Sequence, residues 1–245
     1  MSEGANSARA EKRKPGQFNE EYIFSKAKRD YELGEASIKI NPKKTALIVV
    51  DMIEEFTKPK MTPSWIPEAT KQLEKIKDLI ETCRKVGVQV IYTCYAFHPK
   101  YVDMNPAFRD GVTPLDKFDV YEGPALFQKQ SIDPHIKPDY EGDVVIAKSS
   151  YGAFTGTTLD YILKNRNVDT VIICGTMTNY CCGTTAREAH GHGYKVVFGS
   201  DVNSTDDPAL HEAELKTLRR GFALVITGLQ IREALLGKGP YSSIS

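Results

Sequence analysis

Three side chains able to move a proton or attack carbon lie at the ends of apolar runs or just beyond them. They are Asp51 after ALIVV, Lys148 after DVVIA, and Cys181 beyond VIICGTMTNY. A cysteine attacks as its thiolate, so it needs a base or a positive field beside it. A carboxylate, an ammonium group and a helix N-terminus supply both, and the set suits covalent catalysis. Taken singly, each residue also has an ordinary structural role. An Asp ending a strand commonly caps a helix, a Lys there is commonly solvated, and a Cys is among the most buried and inert residue types. A second thiol, Cys182, follows directly in TNYCCGTTAREAH, so which of the two does chemistry is a question of position.

For the three to meet, the runs that carry them must lie side by side. TALIVVD (45–51) is short, continuous and β-branched, the pattern of a strand buried on both faces. Residues 67–87 place Leu73, Ile76, Leu79, Ile80 and Cys83 at helical spacing, with Pro67 near the start and Gly87 at the end. The cycle then repeats. Strands are predicted at 88–94, 143–148, 170–175, 194–201 and 223–227, with helices at 157–167, 184–190, 208–220 and a last one closing near Leu236. Such alternation implies right-handed crossovers and a parallel sheet covered on both faces, which binds ligands outside the carboxyl ends of its strands. Residues 95–142 break the pattern. They are long, Pro-rich and aperiodic, as expected of a lid or functional loop. Residues 1–37 are charged and poor in periodicity, and read as a polar arm, partly disordered or packed on a partner subunit, ahead of a single domain at 38–245.

Composition narrows the classes of function. The chain has 32 basic and 32 acidic residues among 245, so no net field points to nucleic acid or a membrane surface, and a small neutral partner fits better. Its opening, MSEGANSARAEKRKPGQFNE, lacks the apolar core of a secretory signal, and no apolar run approaches the ~20 residues that span a bilayer. A cytoplasmic protein is expected. The five cysteines, Cys83, Cys94, Cys174, Cys181 and Cys182, form an odd set without zinc-ribbon spacing, which argues against a secreted disulfide framework.

TALIVVDMIEEF, VVIAKSSYGAFTGTTLD and ICGTMTNYCCGTTAREAHGHGYKVVFGSD together resemble the isochorismatase-like cysteine hydrolases. That family includes nicotinamidases, carbamoylsarcosine amidohydrolases, biuret hydrolases and ureidoacrylate amidohydrolases. The likeness runs over roughly residues 45–236. It implies a three-layer α/β/α fold of Rossmann-like type with a mainly parallel six-stranded sheet, and an Asp-Lys-Cys triad on Asp51, Lys148 and Cys181. In the family's turn a Gly is followed after two residues by Thr and after two more by Cys; GTMTNYC starts at Gly175 and so reaches Cys181. The resemblance thus makes Cys181 the nucleophile and leaves Cys182 for packing. It also implies a cis peptide between Thr176 and Met177, an oxyanion hole from the backbone N–H groups of Met177 and Cys181, and a homo-oligomer, dimer or tetramer. No redox cofactor or nucleotide is implied.

Departures from relatives narrow the substrate. Nicotinamidases carry a metal-binding Asp, one residue, His and a second His, after the second strand. Here TCYAFHPKYVDMN has Ala96 at the Asp position, keeps His98 and offers no second His, and one His does not hold a metal alone. No metal is expected, and His98 is either a hydrogen bonder or a pocket wall. His190 and His192, two apart at a glycine-ended helix, read as exposed helix-end residues. After Asp51, where many relatives have Gln or Asn, stand Ile53, Glu54 and Glu55. The true isochorismatase branch lacks the nucleophilic Cys, so Cys181 argues against enol-ether hydrolysis. TNYCCGTTAREA and KSSYGAF resemble most closely the ureidoacrylate amidohydrolase side. The candidate substrate contacts are Phe97, His98, Tyr151, Phe154, Asn179 and Tyr180, with the aromatic ones suited equally to a pocket wall or to core. The expected reaction is hydrolysis of a C–N bond in a small amide or ureide through a thioester, with release of ammonia. A nicotinamidase-like plain carboxamide hydrolase is the alternative, and a non-catalytic binding relative or a thiol redox protein using Cys181 and Cys182 stays open.

Overall fold

Residues 14–34, 36–97, 102–103, 105–106 and 131–243 are described in a computed structural model of the chain. Each β-branched run forms a strand: β1 Thr45–Val50, β2 Gln89–Tyr95, β3 Val144–Lys148, β4 Thr170–Thr176, β5 Lys195–Ser204 and β6 Leu224–Ile226. The helices are α1 Glu20–Leu33, α2 Glu54–Thr57, α3 Pro67–Lys85, α4 Leu159–Asn165, α5 Gly183–Gly191, α6 Pro208–Gly221 and α7 Gly228–Leu235. The strands make one six-stranded sheet in the order β3-β2-β1-β4-β5-β6, and every neighbouring pair is parallel. From β1 the chain winds outward through β2 and β3, then returns to place β4 on β1's other edge. The β1–β4 seam is therefore the switch point, where a crevice opens at the carboxyl ends.

Period-two alternation sends each strand's apolar side chains to both faces. Leu47 and Val49 of β1 join Val90, Ile172, Cys174 and Val197 under α3 and α7, where Ile76, Leu79, Ile231 and Leu235 meet them. Ala46, Ile48 and Val50 face the other way with Ile91, Val171, Ile173 and Phe198, under Leu159 and Leu163 of α4, Ala186 of α5 and Leu218 of α6. This is the three-layer α/β/α arrangement. Burying each such Leu, Ile or Val stabilises the fold by roughly 1.5–3 kcal/mol before entropy is counted.

Three features escape the sequence reading, the first being the short helix α2 in the stretch between β1 and α3 that reads as a loop. Helix α1 forms inside the segment read as an arm: Asn19 caps it by accepting from Tyr22 N–H at 2.9 Å. It rests on α6, with Lys216 Nζ 2.8 Å from Glu32 Oε1 and the Arg220 guanidinium 4.4 Å from the Tyr31 ring centroid. A 14-residue helix is marginal alone, so these contacts, invisible to local periodicity, decide it. Strand β5 continues three residues past its expected end, after a register shift against β4 between Ile173 and Gly175. Most of the expected 95–142 lid lies outside the described residues. Among the described residues no helix is long and apolar enough to cross a membrane.

Gly175 shows how tightly β4 is seated on β1. Its φ is +128°, and a Cβ built there would lie 2.0 Å from the carbonyl oxygen of Val50. Both the left-handed backbone and the contact exclude a side chain. Gly175→Ala is expected to cost about 3 kcal/mol or more, seen as a melting temperature lower by about 6–12 °C or as loss of folded protein. A melting curve matching the wild type's would show that the seam yields.

Candidate active site

The parallel register brings the reactive residues to one edge. Val50 pairs with Thr93 on one side and Gly175 on the other, and Tyr95 pairs with Lys148. Asp51, next after Val50, takes φ +50°, a left-handed conformation that Asp tolerates better than most residues. It caps no helix: Ile53 occupies that position at α2. Instead Asp51 Oδ1 accepts from the Thr93 hydroxyl at 2.8 Å, and Oδ2 stands 2.6 Å from Lys148 Nζ, with both side chains at 0% exposure. Lys148 directs its N–H groups at the carbonyls of Ser150 (2.9 Å) and Tyr151 (3.0 Å), so Asp51 Oδ2 meets it as an ion pair and keeps no aligned donor of its own.

The Cys181 thiol lies beside both charges. Burial pushes it up to about 12; Lys148 opposes this and the Asp51 carboxylate adds to it. For Lys148, burial favours the neutral amine, but the Asp51 charge and then Cys181 outweigh it and hold the ammonium above its ordinary range. Burial thus favours the neutral thiol, and the Asp51 charge favours the ammonium.

Cys181 sits in a π-helical turn, Thr178–Cys182, between β4 and α5. The Thr176–Met177 peptide is cis, and the Met177 carbonyl accepts from Tyr180 N–H (3.1 Å) and Cys182 N–H (3.0 Å), with Cys181 N–H between them. Cys182 is fully buried in the core beneath α5. Helix α5 also braces the loop that holds Lys148. Thr185 accepts from Ala153 N–H (3.1 Å) and donates to the Cys181 carbonyl (2.7 Å), while Glu188 accepts from Phe154 N–H (2.9 Å) and from the Thr155 hydroxyl. Thr93, Thr185 and Glu188 were not among the sequence candidates. For Thr93 a signal existed, since it is a polar residue near the end of an otherwise apolar strand.

Aromatic rings gather over the triad. Tyr95 and Tyr151 stack with centroids 6.1 Å apart, Phe97 meets Tyr95 edge-on at 4.9 Å, and the half-exposed Tyr180 leans on Tyr151 at 5.3 Å. Phe56 packs against the same group, and Lys148 Nζ lies 5.0 Å from the Tyr95 centroid. Burial, and after it neighbouring charge including Cys181, raises both the Tyr95 and Tyr151 phenols. Tyr95 and Phe56 are thus further members that the sequence reading did not single out. Phe154 is elsewhere: its ring stacks on His192 at 4.9 Å and neighbours Tyr194 at 5.8 Å, in the core at the far end of α5. Asn179 accepts from the Thr205 hydroxyl at 2.7 Å. His98 lies outside the described residues. His190 and His192 are exposed at the α5 terminus, and among the described residues no three His, Cys, Asp or Glu side chains converge to hold a metal.

In the EE pair after Asp51, Glu55 is 2% exposed and its Oε2 has no partner. Burial pushes it up to about 7, and a hydrogen bond from Thr62 opposes this. Between the ordinary glutamate value of 4.5 and 7 the folded chain binds a proton that the unfolded chain has lost, so stability falls as pH rises through that window. Glu55→Gln removes this titration. Its melting temperature, relative to wild type, is expected to be higher at pH 8 than at pH 5, and an equal difference at both would contradict the buried-acid account.

Residues 45–230, which span all six strands, match the isochorismatase domain. Nicotinamidase 3 of Arabidopsis thaliana is 34% identical over 199 residues, covering 80% of this chain and 91% of that protein. Ureidoacrylate amidohydrolase of Caulobacter segnis is 27% identical over 164 residues, covering 62% of this chain and 68% of that protein. The crystal structure of a cysteine hydrolase from Pseudomonas syringae pv. phaseolicola aligns with a TM-score of 0.72 at 29% identity, over 83% of this chain and 97% of that one. With the family match spanning the sheet and a buried Asp-Lys-Cys cluster at its switch point, the chain belongs to the isochorismatase family of hydrolases.

Proposed function

We propose that the chain hydrolyses a C–N bond of a small terminal amide or carbamoyl group, with Cys181 as nucleophile. The observation that carries this is the fully buried Asp51–Lys148 ion pair at 2.6 Å with the Cys181 thiol against it. Asp51 Oδ2, free of an aligned donor, accepts the thiol proton as sulfur attacks the carbonyl carbon. Lys148 stays charged and balances the negative charge as it passes from carboxylate to sulfur. The N–H groups of Met177 and Cys181 receive the tetrahedral oxygen. Asp51 then protonates the leaving nitrogen, ammonia departs, and water deprotonated by the same carboxylate cleaves the thioester and restores the thiol.

The substrate enters beneath the ring cluster of Tyr95, Phe97, Tyr151 and Tyr180, which suits a small planar group. The relatives' names bracket two classes, a plain aromatic carboxamide and a ureido acid. Likeness in the two motifs around Lys148 and Cys181 supports a ureido group, N–CO–NH2, whose hydrolysis leaves a carbamate that loses carbon dioxide. The higher overall identity to the Arabidopsis protein favours the plain carboxamide instead. An ammonia-release assay of small ureido acids, biuret and nicotinamide separates them, and the expected result is a higher kcat/KM for a ureido compound. Nicotinamide preferred tenfold or more would select the second reading. The same rates are expected in excess EDTA, because Ala96 stands where the metal-binding Asp of nicotinamidases would. Loss of activity restored by zinc or iron would overturn that expectation.

A further inference from the structure

The nucleophile turn is tied on its far side to β5 and α6 by side chains with no part in the chemistry above. Thr176 donates to the Ser204 carbonyl (3.1 Å), Thr205 donates to Asn179 (2.7 Å), and Asn203 Nδ2 donates to the carbonyls of Ile173 (2.9 Å) and Gly199 (2.7 Å). At the centre of this side is His211 of α6. Its Nδ1 is 2.9 Å from the Thr178 hydroxyl and its Nε2 is 3.1 Å from the Ser200 carbonyl oxygen. A carbonyl only accepts, so Nε2 carries the hydrogen. In the neutral ring Nδ1 then has a lone pair, and Thr178 donates to it. Thr178 is fully buried and opens the turn three residues before Cys181. Its carbonyl oxygen would be 2.8 Å from a Cβ on Gly183, so the turn has little slack where α5 begins.

We infer that His211 is a positioning residue of the active site: its Nδ1 anchors Thr178 and thereby holds the Met177 and Cys181 N–H groups where the oxyanion develops. This rests on reading the turn as an oxyanion hole. Contacts made to a developing oxyanion act in the transition state more than in the bound substrate, so loosening them lowers kcat and spares KM. A donor displaced by about 1 Å costs up to ~100-fold, and a loosened anchor part of that.

Three variants separate the hydrogen bond from mere packing. His211→Asn puts an amide oxygen near the Nδ1 position, where it accepts from Thr178. His211→Gln places its amide near Nε2, keeping the Ser200 contact and losing the Thr178 one. Thr178→Val removes the hydroxyl with little change of shape. The expected result is a kcat about tenfold lower for His211→Gln and Thr178→Val, with KM within about twofold, and recovery of most of that loss in His211→Asn. The double variant Thr178→Val/His211→Gln is expected to be no worse than either single one. Asn performing no better than Gln, additive losses, or kcat falling in step with melting temperature would each overturn the assignment.

A second arm needs no substrate. Acetaldehyde adds to a thiol as a thiohemiacetal: the Cys181 Sγ–C bond forms, the carbonyl π bond breaks, and the thiol hydrogen passes to the oxygen, which rests against the N–H donors. The readout is the acetaldehyde concentration that protects half of Cys181 from iodoacetamide. It is expected to rise about tenfold in His211→Gln and Thr178→Val and to stay near wild type in His211→Asn, while alkylation without aldehyde stays within about twofold throughout. Equal protection in all variants, or none in the wild type, would refute the role of His211. A wild type that turns over no amide or ureide but shows the expected protection pattern would sink the amidohydrolase reading alone.

Discussion

Cys181→Ala is expected to reduce turnover by about ten-thousand-fold or more while leaving the fold intact, because among the described thiols that feel the Asp51–Lys148 pair, Cys94 and Cys182 included, Cys181 alone hydrogen-bonds to it. Its neighbour sets the contrast. Cys182 is as deeply buried, but it belongs to the packing under α5, and its own N–H bonds back to the Met177 carbonyl at 3.0 Å. Cys182→Ala is expected to keep activity within about threefold and to lose about 1 kcal/mol of stability through the small cavity left behind. Mass analysis of protein trapped with substrate or iodoacetamide locates the adduct. Finding it on Cys182 would reverse the assignment, and a reversible change in free-thiol count on mild oxidation would support a redox role for the pair instead.

Asp51→Asn tests the base, and the expected result has two parts of opposite sign. Turnover falls by at least ~100-fold, since the acceptor of the thiol proton and donor to the leaving nitrogen is gone. Thiol alkylation at pH 8 instead quickens: after burial, which is unchanged, the Asp51 charge is among the influences that hold the thiol up, and Lys148 then faces the thiolate alone. Lys148→Met is expected to slow alkylation, because the opposing positive charge is removed. In the wild type, a thiol pushed up to about 12 should be alkylated at a rate that climbs with pH through 9 and 10 without levelling. A plateau near neutrality would mean a preformed thiolate–lysine pair and would remove the need for Asp51 as base. Parallel loss of turnover and of alkylation in Asp51→Asn would point to a collapsed site, which is a real hazard, since the change leaves Lys148 buried and unpaired.

The upward direction of the Cys181 shift was not readable from residue types. An Asp and a Lys near a Cys suggest an activated thiolate, but burial opposes ionisation of the thiol, and depth of burial is a property of the assembled layers. The bland readings of Asp51 as a cap and Lys148 as solvated fail for the same reason. Asp51 follows β1, which lies between β2 and β4, and Lys148 ends the edge strand β3, where the carbonyls of Ser150 and Tyr151 close over its ammonium.

By itself the sequence determined the order of the six strands and of the helices from α3 onward, and the positions of the reactive residues at strand ends or just past them. These are local properties: β-branched runs, helical periodicity, and Pro or Gly at element ends act within a few residues of chain. The choice of Cys181 over Cys182 rested on the resemblance of GTMTNYC to the family's turn. The tertiary structure alone decided the strand order that puts Asp51 at the switch point, the Tyr95–Lys148 register that roofs the site with aromatic rings, and the retreat of Phe154 to His192 and Tyr194. It also decided that α1 folds on α6 and that His211 meets Thr178, 33 residues away in the chain. Each depends on contacts between segments far apart in sequence, and a side chain's own neighbours along the chain carry no information about which distant face it will meet.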